Sequence, residues 1–231
     1  VYTATATALF LLASLLAAAL TSREPAWADE LTSPCIRKVV EEFVASDAPS
    51  GQYFSDTQAL MGADQLSGMI VINNIKVALT AFALGLSFGA GTVWVLISNG
   101  MMLGAFVGVG AHHDRLADLV AIVAPHGVLE LSAIFICAGA GLMIGWALIA
   151  PGDRLRADAL SRAAREAVVL VIGCIPIFAV AALIEGVFSP QTAGLMRENP
   201  ERILLGVATG LGLALYLLYG GRAAVSPDAD S

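Results

Sequence analysis

Apolar residues in this chain arrive in long unbroken runs. A bilayer core of about 30 Å needs about 20 such residues in a helix that rises about 1.5 Å per residue. Backbone N–H and C=O groups must be satisfied inside each crossing segment, so runs of that length predict helices. Residues 1–20 form the first run, rich in Ala and Leu and free of charge until Arg23. A cleavable signal peptide competes with it, since Ala26-Trp27-Ala28 stands just before Asp29. The run is longer than the usual signal-peptide core of about 7–15 residues, which favours a first transmembrane helix. The chain opens at Val1 and not at Met, which leaves room for a preceding segment. Later runs are residues 128–149, 167–188 with a kink expected at Pro176, and 203–219.

Residues 77–111 carry no charge, and one straight helix of that length would run about 52 Å and overshoot the bilayer. It must break, and Ser98-Asn99-Gly100 is a turn triplet between apolar runs. The stretch after it, residues 99–124, then either crosses once as a short helix or forms a re-entrant pair, with crossing favoured. The expectation is therefore an all-α polytopic bundle of about six spans, one of them short or re-entrant. Its parts are a first helix at 1–20, an acidic extramembrane segment at 21–72, a core bundle at 73–220 and a polar tail at 221–231.

The 21–72 segment differs in kind. It holds eight acids and three bases, with Pro25, Pro34, Pro49 and Gly51 as breakers. In it Ile36, Val39, Val40 and Phe43 recur at helical spacing, which suits a helix lying on a surface. Residues 56–69 form a second weak helix leading into the next span. Orientation follows from Arg154, Arg156, Arg162 and Arg165, which all fall in the short stretch 151–166. That loop is expected on the cytoplasmic side, so six crossings put both ends inside and the acidic segment outside.

Composition narrows the class further. The chain is 58% hydrophobic and 13% charged, with mean hydropathy +0.80, so its polar residues could not cover a water-soluble domain. Twelve Lys and Arg against nineteen Asp and Glu leave a formal charge of −7, which excludes a nucleic-acid partner. Cys35, Cys137 and Cys174 form no CxxC pair, and two of them sit in apolar runs as small buried hydrophobes. Neither a disulfide framework nor a metal site is expected. Gly85, Gly89 and Gly91, then Gly100, Gly104 and Gly108, then Gly141 and Gly145 include repeated i, i+4 pairs. In lipid such small faces let backbones approach, and helix packing is their plainest role.

Ionisable groups at membrane depth each need an explanation, because they cost about 2.5–3.5 kcal/mol by insertion scales. Lys76 opens the second span after Asn73 and Asn74. His126 and Glu130 are four apart and share one face of a helix expected to start near Pro125. Glu185 lies roughly as far after the cytoplasmic loop as Glu130 lies before it, so both carboxylates should stand about 30 Å from that loop. Lys76, His126, Glu130 and Glu185, supported by Asn73, Asn74 and Asn99, could then meet at the outer mouth of the bundle. A structural polar network is the first reading, and a proton or cation relay the second. A metal-dependent hydrolytic site is the weakest, for want of a second histidine on that face.

The strings Asn73-Asn74, Phe82-x-x-Gly85-x-x-x-Gly89-x-Gly91-Thr92, Asn99-Gly100-x-x-x-Gly104, Pro125-His126-Gly127-x-x-Glu130-Leu131 and Ala181-Ala182-x-Ile184-Glu185-Gly186-x-x-Ser189-Pro190 resemble the stage II sporulation protein M family. The resemblance runs from about Asp64 to Pro190. It implies a multi-pass protein of the bacterial cytoplasmic membrane, acting as an anchor or scaffold with envelope partners such as cell-wall-remodelling enzymes. No cofactor and no catalysis are expected. Lipid, other membrane proteins and further copies of the chain are the expected partners.

Overall fold

The computed structural model describes residues 1–32, 44–45, 63–184 and 199–223. Every described element is helical: α1 (Tyr2–Arg23), α2 (Trp27–Leu31), α3 (Ala63–Ala83), a 3-10 turn (Leu84–Leu86), α4 (Ala90–His112), α5 (Leu116–Ile149), α6 (Arg156–Leu183) and α7 (Asn199–Ala223). Four of them, α1, α4, α5 and α6, are long and apolar enough to cross a membrane, whereas α3 and α7 contribute shorter apolar stretches, Val71–Leu86 and Ile203–Leu217. Cys35, Glu185 and most of the 36–44 surface-helix expectation lie outside the described residues.

The charge-free run does break, but not at Ser98-Asn99-Gly100, which lies inside α4. Two side chains there serve their own helix: Ser98 Oγ donates to Trp94 O at 2.8 Å and Asn99 Nδ2 to Val95 O at 2.8 Å. Polar groups bonded back one turn remove the reason for a turn. The chain reverses instead at 84–89, where the 3-10 turn is followed by Gly89 at φ +80°. Ser87 builds this corner, since its Oγ donates to Leu84 O at 2.6 Å and accepts from the Gly91 N–H at 2.8 Å. Only a residue without Cβ adopts the left-handed conformation at Gly89 cheaply.

Residues 99–124 are accordingly neither a short span nor a re-entrant pair. They belong to the end of α4, a tight turn at 113–115 and the start of α5, which runs 34 residues straight through Pro125. The missing proline N–H costs one helical hydrogen bond. Neighbouring α7 packs tightly at that point: a Cβ on Gly206 would stand 2.6 Å from Ala124 O, and Thr209 Oγ1 donates to Pro125 O at 3.3 Å. Dense packing by a neighbour is what lets prolines persist inside membrane helices.

Contacts fix the relative directions. Gly100, Gly104 and Gly108 of α4 meet Phe10, Ser14 and Ala18 of α1 in matching order, so these helices run parallel. Asn74 pairs with Glu130 and Ala81 meets Gly141, so α3 is parallel to α5. Gly206 and Gly210 follow Ala124 and Val128, so α7 is too. Phe10 stacks edge-on against Phe135 at 5.2 Å while Thr3 meets Gly139, so α1 is antiparallel to α5. Cys174 Sγ donates to Ala133 O at 3.7 Å, while Ala140 and Ala167 share a deeper cluster, so α6 is antiparallel to α5 as well. The six long helices alternate in direction about a central α5.

Small residues make these contacts. Added Cβ atoms at Gly85 and Gly145 would stand 2.3 Å from Gly141 O and 2.4 Å from Gly89 N respectively. The α3–α4 corner thus lies backbone on backbone against α5. Buried Thr92 ties the same corner, donating to Ala81 O at 2.7 Å.

Candidate functional site

Two charged-type side chains are buried among the described residues, His126 at 5% exposure and Glu130 at 2%. They lie one turn apart on α5, as their spacing demands. Glu130 lies within α5, which begins at Leu116 and not near Pro125. It stands about 20 Å from that end and about 28 Å from Ile149. Leu129, Ala133 and Ile134 of α5 and Ala78 of α3 form the adjoining apolar core. A low-dielectric wall of this kind strengthens every hydrogen bond made inside it.

The partner that α3 supplies is Asn74, whose Nδ2 donates to Glu130 Oε2. Helical geometry explains why Asn74 and not Lys76 arrives here. Asn74, Ala78 and Ala81 repeat at the core-facing interval, and both alanines are fully buried. Lys76 stands two residues on, about 200° around the helix, and is exposed. Asn73 is exposed as well. Lys76 is therefore not on the core-facing side of α3 with Asn74, and its long stem can carry the charge towards a polar boundary. Lys76→Gln should change stability by no more than about 0.5 kcal/mol in detergent unfolding. A drop of several kcal/mol would place the ammonium in the network after all.

Asn99 is bound within α4 and takes no part in this cluster. Among the described residues no three His, Cys, Asp or Glu side chains converge in a way that could hold a metal. An imidazole and a carboxyl one turn apart can share or pass one proton, and the amide bonded to that carboxyl can lock two helices together. Cys137 and Cys174 face one another across α5 and α6 as buried free thiols, deeper in the same apolar core.

The sequence reading singles out neither Thr21, Thr209 nor Gly206, and holds Thr92 only as the end of its Gly91-Thr92 string. Thr21 Oγ1 donates to Ala17 O at 2.9 Å and lies 3.3 Å from Ala105 O across the α1–α4 contact. Near the same end the His112 ring Nδ1 lies 2.9 Å from Ser22 O, joining the ends of α1 and α4. The signal for Gly206 was present in its i, i+4 partner Gly210.

Comparison with known proteins agrees with this architecture of packed apolar helices. An uncharacterized protein of Methanocaldococcus jannaschii is 37% identical over 76 residues, which is 32% of this chain and 43% of that protein. The chain thus aligns with less than half the length of that relative. No solved structure matches. The model of stage II sporulation protein M (SpoIIM) matches residues 6–190, well over half of the chain and overlapping every helix from α1 to α6, and the chain belongs to that family of membrane proteins.

Proposed function

We propose that the chain is a non-catalytic scaffold of the bacterial cytoplasmic membrane that recruits or positions envelope proteins, cell-wall-remodelling enzymes among them. The observation that carries this reading is how Glu130 is held. It is 2% exposed and bonded to Asn74 of a neighbouring helix, within a bundle whose helices touch backbone to backbone. An ion pathway needs a carboxylate that water or the ion can reach. A sealed, cross-helix pair instead favours a fixed arrangement from which the 24–62 segment can be presented to partners.

The second reading, a secondary transporter or permease subunit using intramembrane glutamate, draws on the adjacency of His126 and Glu130. Two measurements on the full chain separate them. Mild-detergent purification from native membranes is expected to retain envelope proteins in near-stoichiometric amounts, with no Glu130-dependent flux in proteoliposomes. Ion-driven uptake that disappears in Glu130→Gln, with no partner retained, would overturn the scaffold in favour of transport.

A further inference from the structure

A groove of about 230 Å³ opens where the C-terminal end of α5, the 150–155 turn, the start of α6 and Tyr2 of α1 come together. Its rim is charged and aromatic: Arg154, Arg162, Glu166, Tyr2 and Trp146. Its floor is apolar, with Met143 and the buried Ala159 and Ala163. Charge decides what fits. Arg162 Nε and Glu166 Oε1 are paired at 3.1 Å, both largely exposed, and solvent screens such a pair, so its guanidinium can be shared. Arg154 has no ion-pair partner among the described residues. The rim therefore carries one surplus positive charge, which complements one phosphodiester.

The surroundings favour a lipid source for that phosphodiester. Trp146 is 54% exposed beside the arginines, and Trp and Tyr concentrate at the boundary between headgroups and acyl chains. Beyond Glu166 the exposed face of α6 continues as Val168, Val169, Ile172 and Ile175. The volume is below the roughly 300–1,000 Å³ of clefts that enclose drug-sized ligands. It holds a head group and leaves the tails to lie along that apolar face. The geometry points to a binding site for one anionic glycerophospholipid, with Arg154 and Arg162 on its phosphate and the acyl chains against α5 and α6.

Native mass spectrometry of the delipidated full chain tests this with phosphatidylglycerol, phosphatidylcholine and inorganic phosphate as probes. One phosphatidylglycerol should be retained per chain, phosphatidylcholine should not, and inorganic phosphate should not displace the lipid at equal concentration. Arg154→Gln should weaken retention about fivefold, and Arg154→Gln with Arg162→Gln further. Arg156→Gln, an exposed arginine outside the groove, should match the parent chain. Equal retention of phosphatidylcholine would overturn the charge argument. An equal loss in Arg156→Gln would reduce the effect to general surface attraction, and displacement by inorganic phosphate would make the ligand a free anion. Either result overturns the site.

Discussion

Replacing Gly104 should loosen the bundle more than any other single glycine change in α4. A Cβ there would lie 2.0 Å from Ser14 O and 2.7 Å from Ser14 C. Those atoms are backbone, so no rotamer change relieves the clash and α1 must move bodily. Gly104→Ala should cost about 1–3 kcal/mol, and Gly104→Leu should detach α1 from α4. The measurement is detergent unfolding, together with cross-linking between cysteines placed at Ser22 and His112, whose backbone carbonyl and ring nitrogen lie 2.9 Å apart. Gly173 supplies the control, since a Cβ there meets nothing within 4 Å. Gly173→Ala should be neutral or stabilising by up to about 1 kcal/mol through helix propensity. Equal effects at the two positions would show that α1 does not dock on the Gly100, Gly104 and Gly108 face.

That face was legible in the sequence because small residues at i, i+4 have one dominant use in lipid. The partner face was harder to read. Ser14 and Ala18 are spaced identically, but Ala and Leu are so frequent in α1 that no spacing stands out. Length was equally informative: a charge-free run of about 52 Å had to reverse, and it does. The site of reversal was misplaced because Ser-Asn-Gly suits a turn in water. In a membrane helix the same side chains bond to their own carbonyls and the glycine becomes a packing surface. The true corner depends on Gly89 at positive φ and on Ser87 as a cap, and with glycines at 85, 89 and 91 residue type alone does not mark the one that turns.

Of the candidate cluster, the pair His126 and Glu130 followed from spacing alone, since residues four apart share a face wherever the helix begins. What differs is where the helix begins. Pro125 suits a helix start, whereas α5 carries it nine residues beyond Leu116, with α7 packed closely against Ala124 and Pro125. Charge alone would draw Lys76 to the acids, although 200° of helical rotation separates it from Asn74. Angular position decides which residue of a polar string enters the core, and charge alone does not reveal it.

Asn74 and Glu130 should therefore be energetically coupled. A hydrogen bond between an amide and a carboxyl contributes about 1.5–3 kcal/mol when the acid is ionised and about 1 kcal/mol when it is neutral, and burial raises the cost of leaving either group without the other. Asn74→Leu and Glu130→Leu should each destabilise the bundle by about 2–3 kcal/mol, read from detergent unfolding. The double variant should cost less than the sum by about 0.5–3 kcal/mol, since each substitution alone strands the partner in the apolar core formed with Ala78 and Leu129. Glu130→Gln should be milder than Glu130→Leu, because its carbonyl can still accept from Asn74 Nδ2 at nearly the same place. Additivity within about 0.3–0.5 kcal/mol would show that the two side chains do not meet. Unchanged stability in Asn74→Leu with loss of partner retention would instead assign Asn74 to recognition and not to the joining of α3 and α5.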